Sequence, residues 1–156
     1  MTPANQFDGA SAGSRSRGPS QHVRAQVIAR AEGRCEWCGA NPSWGVSVHH
    51  RQPRGMGGSR KVHVNAAANL MLLCGSGTTG CHGWVESHRR EAVTWGLLVP
   101  RPGLPAVTPL FYRKTEWVLL DDDGRIHQWT PDDGAESADF EMPTARPADD
   151  PSLWSS

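Results

Sequence analysis

CEWCGANPSWGVSVHHRQPRGMGGSRKVHVNAAANLMLLCGSGTTGCHGWVESH, residues 35–88, holds all four cysteines of the chain and five of its seven histidines. Cys35 and Cys38 stand two residues apart and are followed by Gly39. At that spacing two thiolates can share one tetrahedral zinc while glycine lets the backbone turn beneath it. Cys74 and Cys81 have six residues between them, and Cys81 runs directly into His82. A lone Cys-x-x-Cys also fits a redox motif, but a second pair downstream favours one shared structural zinc.

Val46-Ser47-Val48-His49-His50 alternates like a short strand. Neighbours on a strand face opposite sides. One histidine can hold a metal while the other faces a substrate only if the strand ends or bends there. The polar, glycine-rich RQPRGMGGSRK that follows supplies such an end. Its Arg51, Arg54, Arg60 and Lys61 are candidate phosphate contacts, with Gly55, Gly57 and Gly58 permitting close backbone approach. Val62-His63-Val64 reads as a second short strand, giving a hairpin with 46–50. Asn69 reads as a turn residue, and Leu70, Leu72 and Leu73 as packing under the zinc site. After the Gly75–Gly80 loop, Cys81 onward reads as one helix through about Trp95, ended by Gly96. His82 and Glu86 then share a face at the spacing that lets two side chains meet one metal, while His88 points elsewhere.

Around this centre the chain thins out. Hydrophobic residues make up 37% of the 156, with seventeen Gly and twelve Pro, which predicts a small core and loose ends. A core of that size needs a staple such as a metal. Residues 1–19 lack periodicity and read as a disordered basic tail, with Arg15 and Arg17 able to touch phosphate. Ser20 reads as the N-cap of a helix carrying Val23, Val27, Ile28 and Ala31 on its apolar face, with Gly33 as its stop. Residues 99–130 read as an extended proline-rich segment and a β-hairpin, 111–120 with 125–129, that turns through Asp121–Gly124. Residues 131–156 read as an acidic disordered tail. Eleven Lys and Arg stand against five Asp and Glu over 1–100, a surplus of six positive charges; over 101–156 the numbers reverse. A basic half suits a polyanion. No apolar run approaches the ~20 residues that span a bilayer, and the N-terminus has no signal-type stretch, so a cytoplasmic protein without a membrane partner is expected.

Taken together, Cys35/Cys38, the His49-His50 doublet, the GMGG loop, the run from Asn69 to Cys74 and Cys81-His82 resemble the HNH endonuclease family in its zinc-knot form, common in bacteriophages and actinobacteria. The resemblance covers about residues 24–98, and places a nuclease domain at 20–98. It implies an α+β fold: a ββα-metal finger stapled by a four-cysteine zinc site, flanked by the N-terminal helix and the C-terminal hairpin. It implies a metal-dependent DNA endonuclease that leaves 5′-phosphate and 3′-hydroxyl ends. His50 is the implied general base, and His49 and His82 the implied ligands of a catalytic Mg2+, Mn2+, Ni2+ or Zn2+. Asn69 is the implied middle residue of the motif, fixing the loop or orienting the base. Glu86 and His88 are further candidate ligands, a carboxylate suiting Mg2+ or Mn2+. Relatives of this type often stand beside DNA-packaging genes, which implies a terminase partner and, for a phage-encoded protein, the host cytoplasm. Two features depart from the pattern. Many relatives have two residues inside the second cysteine pair, and some carry histidine where this chain has Glu86.

The rival reading is a non-catalytic zinc ribbon that binds nucleic acid or protein. It accounts for the cysteines and the basic loop, but not for His49, His50, Asn69 and His82 occurring together.

Overall fold

Helix α1 runs from Gln21 to Ala31, and Ser20 caps it, its Oγ accepting from the Val23 N–H at 3.2 Å. The helix stops where Glu32 and Gly33 take left-handed conformations, at φ 53° and 69°. Their N–H groups turn back to the carbonyls of Ala29 and Ile28. Val27 and Ala31 are buried, whereas Ile28, expected on the same apolar face, is 48% exposed. The computed structural model describes residues 18–54, 62–130 and Asp132. Most of the two expected tails lies outside the described residues, as does the loop 55–61 with Gly55, Gly57, Gly58, Arg60 and Lys61.

Strand β1 (Val46–His50) pairs antiparallel with β2 (Leu70–Cys74), Val46 opposite Cys74 and His50 opposite Leu70. Residues 62–64 do not supply the second strand, correcting the sequence reading. Val62–Asn65 is a 3-10 turn, and a second such turn, Ala67–Asn69, leads into β2. The true partner is an unbroken apolar run, buried at all five positions. A strand covered on both faces has no reason to alternate. Leu70 and Leu72 pack with Val27 and Ala31 of α1, while Met71, Leu73 and Cys74 join the larger core on the other side. Of the three leucines expected under the cysteines, only Leu73 lies in that core.

The expected single helix over 81–95 is two: α2 (Gly80–Ser87) and α3 (Arg89–Thr94). The break is at His88, whose backbone leaves helical geometry at φ −117°, ψ 54°. Side chains compete for the helix backbone there, Ser87 Oγ reaching the Gly83 and Trp84 carbonyls and His88 Nδ1 meeting Trp84 O. The C-terminal hairpin is likewise a three-stranded meander of β3 (Leu110–Tyr112), β4 (Glu116–Leu120) and β5 (Ile126–Gln128). Stacked and tilted rings join it to the cysteine side, Trp84 on Trp37, Trp37 on Trp95, and Trp95 on Phe111 and Trp117. Such ring pairs add to plain area burial.

A buried ion pair ties α1 to the cysteine turn and to β2. Arg30 donates twice to Glu36, at 2.7 and 2.9 Å, and also to the carbonyls of Ala67 and Leu70. Glu36 Oε2 in turn accepts from the Leu72 N–H at 2.8 Å. Both side chains are almost fully buried, so losing one partner strands the other charge. Glu36→Ala is predicted to destabilise the fold by about 3–5 kcal/mol. Urea unfolding checks this, and a loss below about 1 kcal/mol would show that the pair does not hold these elements together.

Candidate metal centres

Cys35 and Cys38 leave the end of α1 on a tight turn, Cys74 closes β2, and Cys81 lies in the first turn of α2. Their four Sγ atoms lie within 4.8 Å of one another, and none is in a disulfide. Sulfurs about 2.3 Å from one zinc at tetrahedral angles stand about 3.8 Å apart, and Cys38 Sγ to Cys74 Sγ is 3.8 Å. Backbone N–H groups also approach the sulfurs, Cys38 N to Cys35 Sγ at 3.5 Å and Cys81 N to Cys74 Sγ at 3.4 Å. Hydrogen bonding from Cys35 and Cys81 holds the Cys38 thiol well below its ordinary pKa, while hydrogen bonding with Cys35 and Cys38, and burial, push Cys81 up. Four sulfurs this close cannot all ionise unless a cation joins them. The set fits a structural metal such as zinc.

The second cluster comprises His49, His82 and Glu86, again with ligand atoms within 4.8 Å. Its protons can be assigned from their partners. Leu97 O can only accept, so His49 Nε2, 3.0 Å away, carries the proton, and Nδ1 is left with its lone pair facing Glu86 Oε1 at 3.7 Å. Ser47 Oγ has one proton, and it donates to Gly75 O at 2.6 Å. His82 Nδ1, 2.7 Å from the same Oγ, is therefore the donor, which leaves the Nε2 lone pair facing Glu86 Oε1 at 4.0 Å. Two lone pairs and a carboxylate thus converge with no proton between them. Burial drives the His49 pKa down to about 3 and also lowers that of His82. At neutral pH a metal meets no competing proton on His49. Both gaps are within twice a typical metal–oxygen bond of about 2.1 Å, so one ion can touch each pair. Glu86 is 39% exposed, and its other oxygen is held by Arg89 Nη1 at 2.9 Å. The cluster therefore has a solvent-facing side at Glu86.

His50 is half-buried on the opposite face of β1, and the chain bends just after it at Arg51 and Gln52. Burial lowers its pKa, with His82 and Arg54 among the charges that add to the effect, so the ring is neutral at pH 7. His50 Nε2 lies 3.2 Å from Asn65 Oδ1 and 3.0 Å from Arg54 Nε.

The remaining expected site residues fall in different places. Asn69 is fully buried; its Oδ1 accepts from Gln52 N at 2.6 Å, and its Nδ2 donates to Gln52 O at 3.1 Å and Val64 O at 2.8 Å. It pins the segment after β1 to the segment before β2, and its contacts are to backbone rather than to His50. His88 stacks on Trp84 at 5.0 Å, outside both clusters. Arg51, expected to contact nucleic acid, is corrected to a core residue, with a side chain that is fully buried. It donates to the carbonyls of Gly96, Ala68, Pro105 and Thr108 at 2.8–3.3 Å. Burial lowers its pKa to about 9, and it stays charged at neutral pH. Three participants escaped the sequence reading: Ser47, Asn65 and the Leu97 carbonyl. Ser47 alone had a visible signal, since it shares a face of β1 with His49 at a spacing of two.

Substitutions separate the two clusters. Cys81→Ser is expected to lose bound zinc and cooperative thermal unfolding together, read by elemental analysis and circular dichroism; full zinc retention would contradict the tetrathiolate site. Ser47→Ala removes the group that fixes the His82 tautomer, and should weaken Mn2+ binding about ten- to a hundredfold. Calorimetry on the zinc-loaded protein measures it, and unchanged affinity would remove His82 from the ligand set.

Comparison of the chain with protein-family models gives no match, and comparison with curated proteins and with solved structures gives none either.

Proposed function

We propose that the protein is a metal-dependent DNA endonuclease of HNH type, with the tetracysteine site as scaffold and His49, His82 and Glu86 as the catalytic centre. One observation carries the reading: the unprotonated nitrogens of His49 and His82 converge on the Glu86 carboxylate, one residue along the strand from the neutral His50. A zinc ribbon needs the four cysteines and has no use for this second, solvent-open cluster. No helix among the described residues is long and apolar enough to cross a membrane.

His49, His82 and Glu86 would hold a divalent cation, which supplies positive charge beside the phosphate and the leaving 3′-oxygen when bound. His50 acts as general base, taking a proton from the attacking water. Attack forms a new P–O bond and breaks the bond to the 3′-oxygen, leaving a 5′-phosphate and a 3′-hydroxyl. Arg54, beside His50, and the surplus of positive charge in the first hundred residues favour a phosphate backbone as substrate. A bacteriophage setting, with a terminase as partner, is the biological context this reading favours.

Plasmid nicking tests it. With Mg2+, Mn2+ or Ni2+ added, the wild type should nick DNA, and His50→Ala should slow nicking by at least ~100-fold while keeping its zinc. Full activity in His50→Ala would remove the base. DNA binding without cleavage under every ion would leave the zinc ribbon as the better account.

A further inference from the structure

His82 and Glu86 leave α2 on the side that meets His49. Gly80, Trp84 and His88 recur at every fourth position and follow another side, about 12 Å from end to end. At the C-terminal end Trp37, Trp84 and His88 form a ladder of near-parallel rings. Trp37 and Trp84 stand 6.0 Å apart at 17°, and Trp84 and His88 5.0 Å apart at 8°. Trp37 is buried, Trp84 half-buried and His88 exposed, so the ladder runs from core to solvent. The last ring is held in place, its Nδ1 donating to Trp84 O at 3.1 Å and lying 2.9 Å from Ser87 Oγ. Among the described residues no second ring meets the imidazole, so its outer face is open. A ring pair at this spacing supports a helix only weakly. Here the helix breaks at the same residue, so helix stability does not account for the exposed end of the ladder.

At the N-terminal end of the same helix, Trp44 is 63% exposed, and its indole has neither a hydrogen-bond nor a ring partner among the described residues. Its Cη2 edge rests on Gly80, where a Cβ would stand 2.9 Å from it, so the bare helix position makes room for the ring. Flat π faces take flat π systems, and every nucleobase offers one. In a duplex those faces are covered by neighbouring pairs, so only unpaired bases can reach the rings. Arg89 and Arg90 follow His88 directly and are exposed. Arg89 holds Glu86, while the Arg90 side chain has no partner among the described residues and is available to a phosphate. An apolar protein partner would have no use for that cation. Resting on the nuclease reading above for its nucleic-acid partner, we propose that Trp44 and His88 are stacking sites for unpaired bases of single-stranded DNA, with Arg90 contacting the backbone beside His88. The protein then recognises DNA where a strand has lost its pairing, rather than a continuous duplex.

Fluorescence anisotropy on the zinc-loaded protein, with no other divalent ion added, compares a labelled oligothymidylate with an abasic oligomer of the same length. The two carry the same phosphates and differ only in their bases. The wild type should bind the oligothymidylate about tenfold more tightly or better. Trp44→Ala and His88→Ala should each lose about fivefold of that preference while binding the abasic oligomer as before. His88→Phe keeps a flat ring and should retain the preference, and Arg90→Ala should weaken both oligomers alike. Equal binding of the two oligomers by the wild type, or ring variants that weaken both alike, would overturn the proposal. So would a His88→Phe protein that behaves like His88→Ala. A protein that prefers the base-bearing strand yet never nicks plasmid would refute the nuclease reading and support the stacking sites. One that nicks plasmid with no such preference would refute the stacking sites alone.

Discussion

Four sulfur atoms from three separate segments meet at one point, and the rest of the molecule is arranged around that meeting. Cys35 and Cys38 fix where the chain goes after α1, Cys74 fixes the end of β2, and Cys81 fixes the start of α2. The loop that joins the last two closes only with glycine, because a Cβ at Gly75 would lie 2.1 Å from Thr79 O. Once Cys74 and Cys81 share a cation, the distance between the strand pair and the helix is set. His82 follows Cys81 directly, and His49 lies opposite Met71 on the neighbouring strand. The second cluster inherits its geometry from the first.

The other constraint comes from the C-terminal third. His49 presents Nδ1 to Glu86 because Leu97 O holds Nε2, and Leu97 stays in place partly because Arg51 gathers the carbonyls of Gly96, Pro105 and Thr108 around one buried charge. That charge has no carboxylate partner at hydrogen-bond distance among the described residues, and carbonyl dipoles do the solvating that water would otherwise do. The segment 96–109 therefore shapes the His49, His82 and Glu86 cluster although it adds no side chain to it. The β3–β5 meander anchors this segment from outside through the ring contacts of Trp95, Phe111 and Trp117.

The residues that the structure gathers into the two clusters were legible in the sequence where they stand a few residues apart. The Cys-x-x-Cys turn, the Cys81-His82 step and the His82/Glu86 spacing each follow from local backbone periodicity. What failed depended on distant partners. Val62-His63-Val64 alternates and invited pairing with β1, yet the true partner, Leu70–Cys74, does not alternate because both of its faces are covered. Arg51 read as a solvent-facing cation because nothing nearby in sequence announces the carbonyls that surround it. The turn at Arg113 and Lys114 was hidden for a similar reason. Both residues adopt positive φ, at 50° and 57°, where a turn is usually marked by Gly or Asn. Arg113 is held there by Ala31 O, and Lys114 by the face of Trp37.

Two clusters of different chemistry stand in one chain, a closed one of four sulfurs that fits zinc and an open one of two imidazoles and a carboxylate, for which a divalent cation is proposed. Anomalous diffraction from crystals of the zinc-loaded protein soaked in Mn2+ tells the two clusters apart. A zinc peak should appear ringed by Cys35, Cys38, Cys74 and Cys81, with a separate manganese peak among His49 Nδ1, His82 Nε2 and the Glu86 carboxylate. Zinc among the cysteines with no manganese between the two histidines would contradict it.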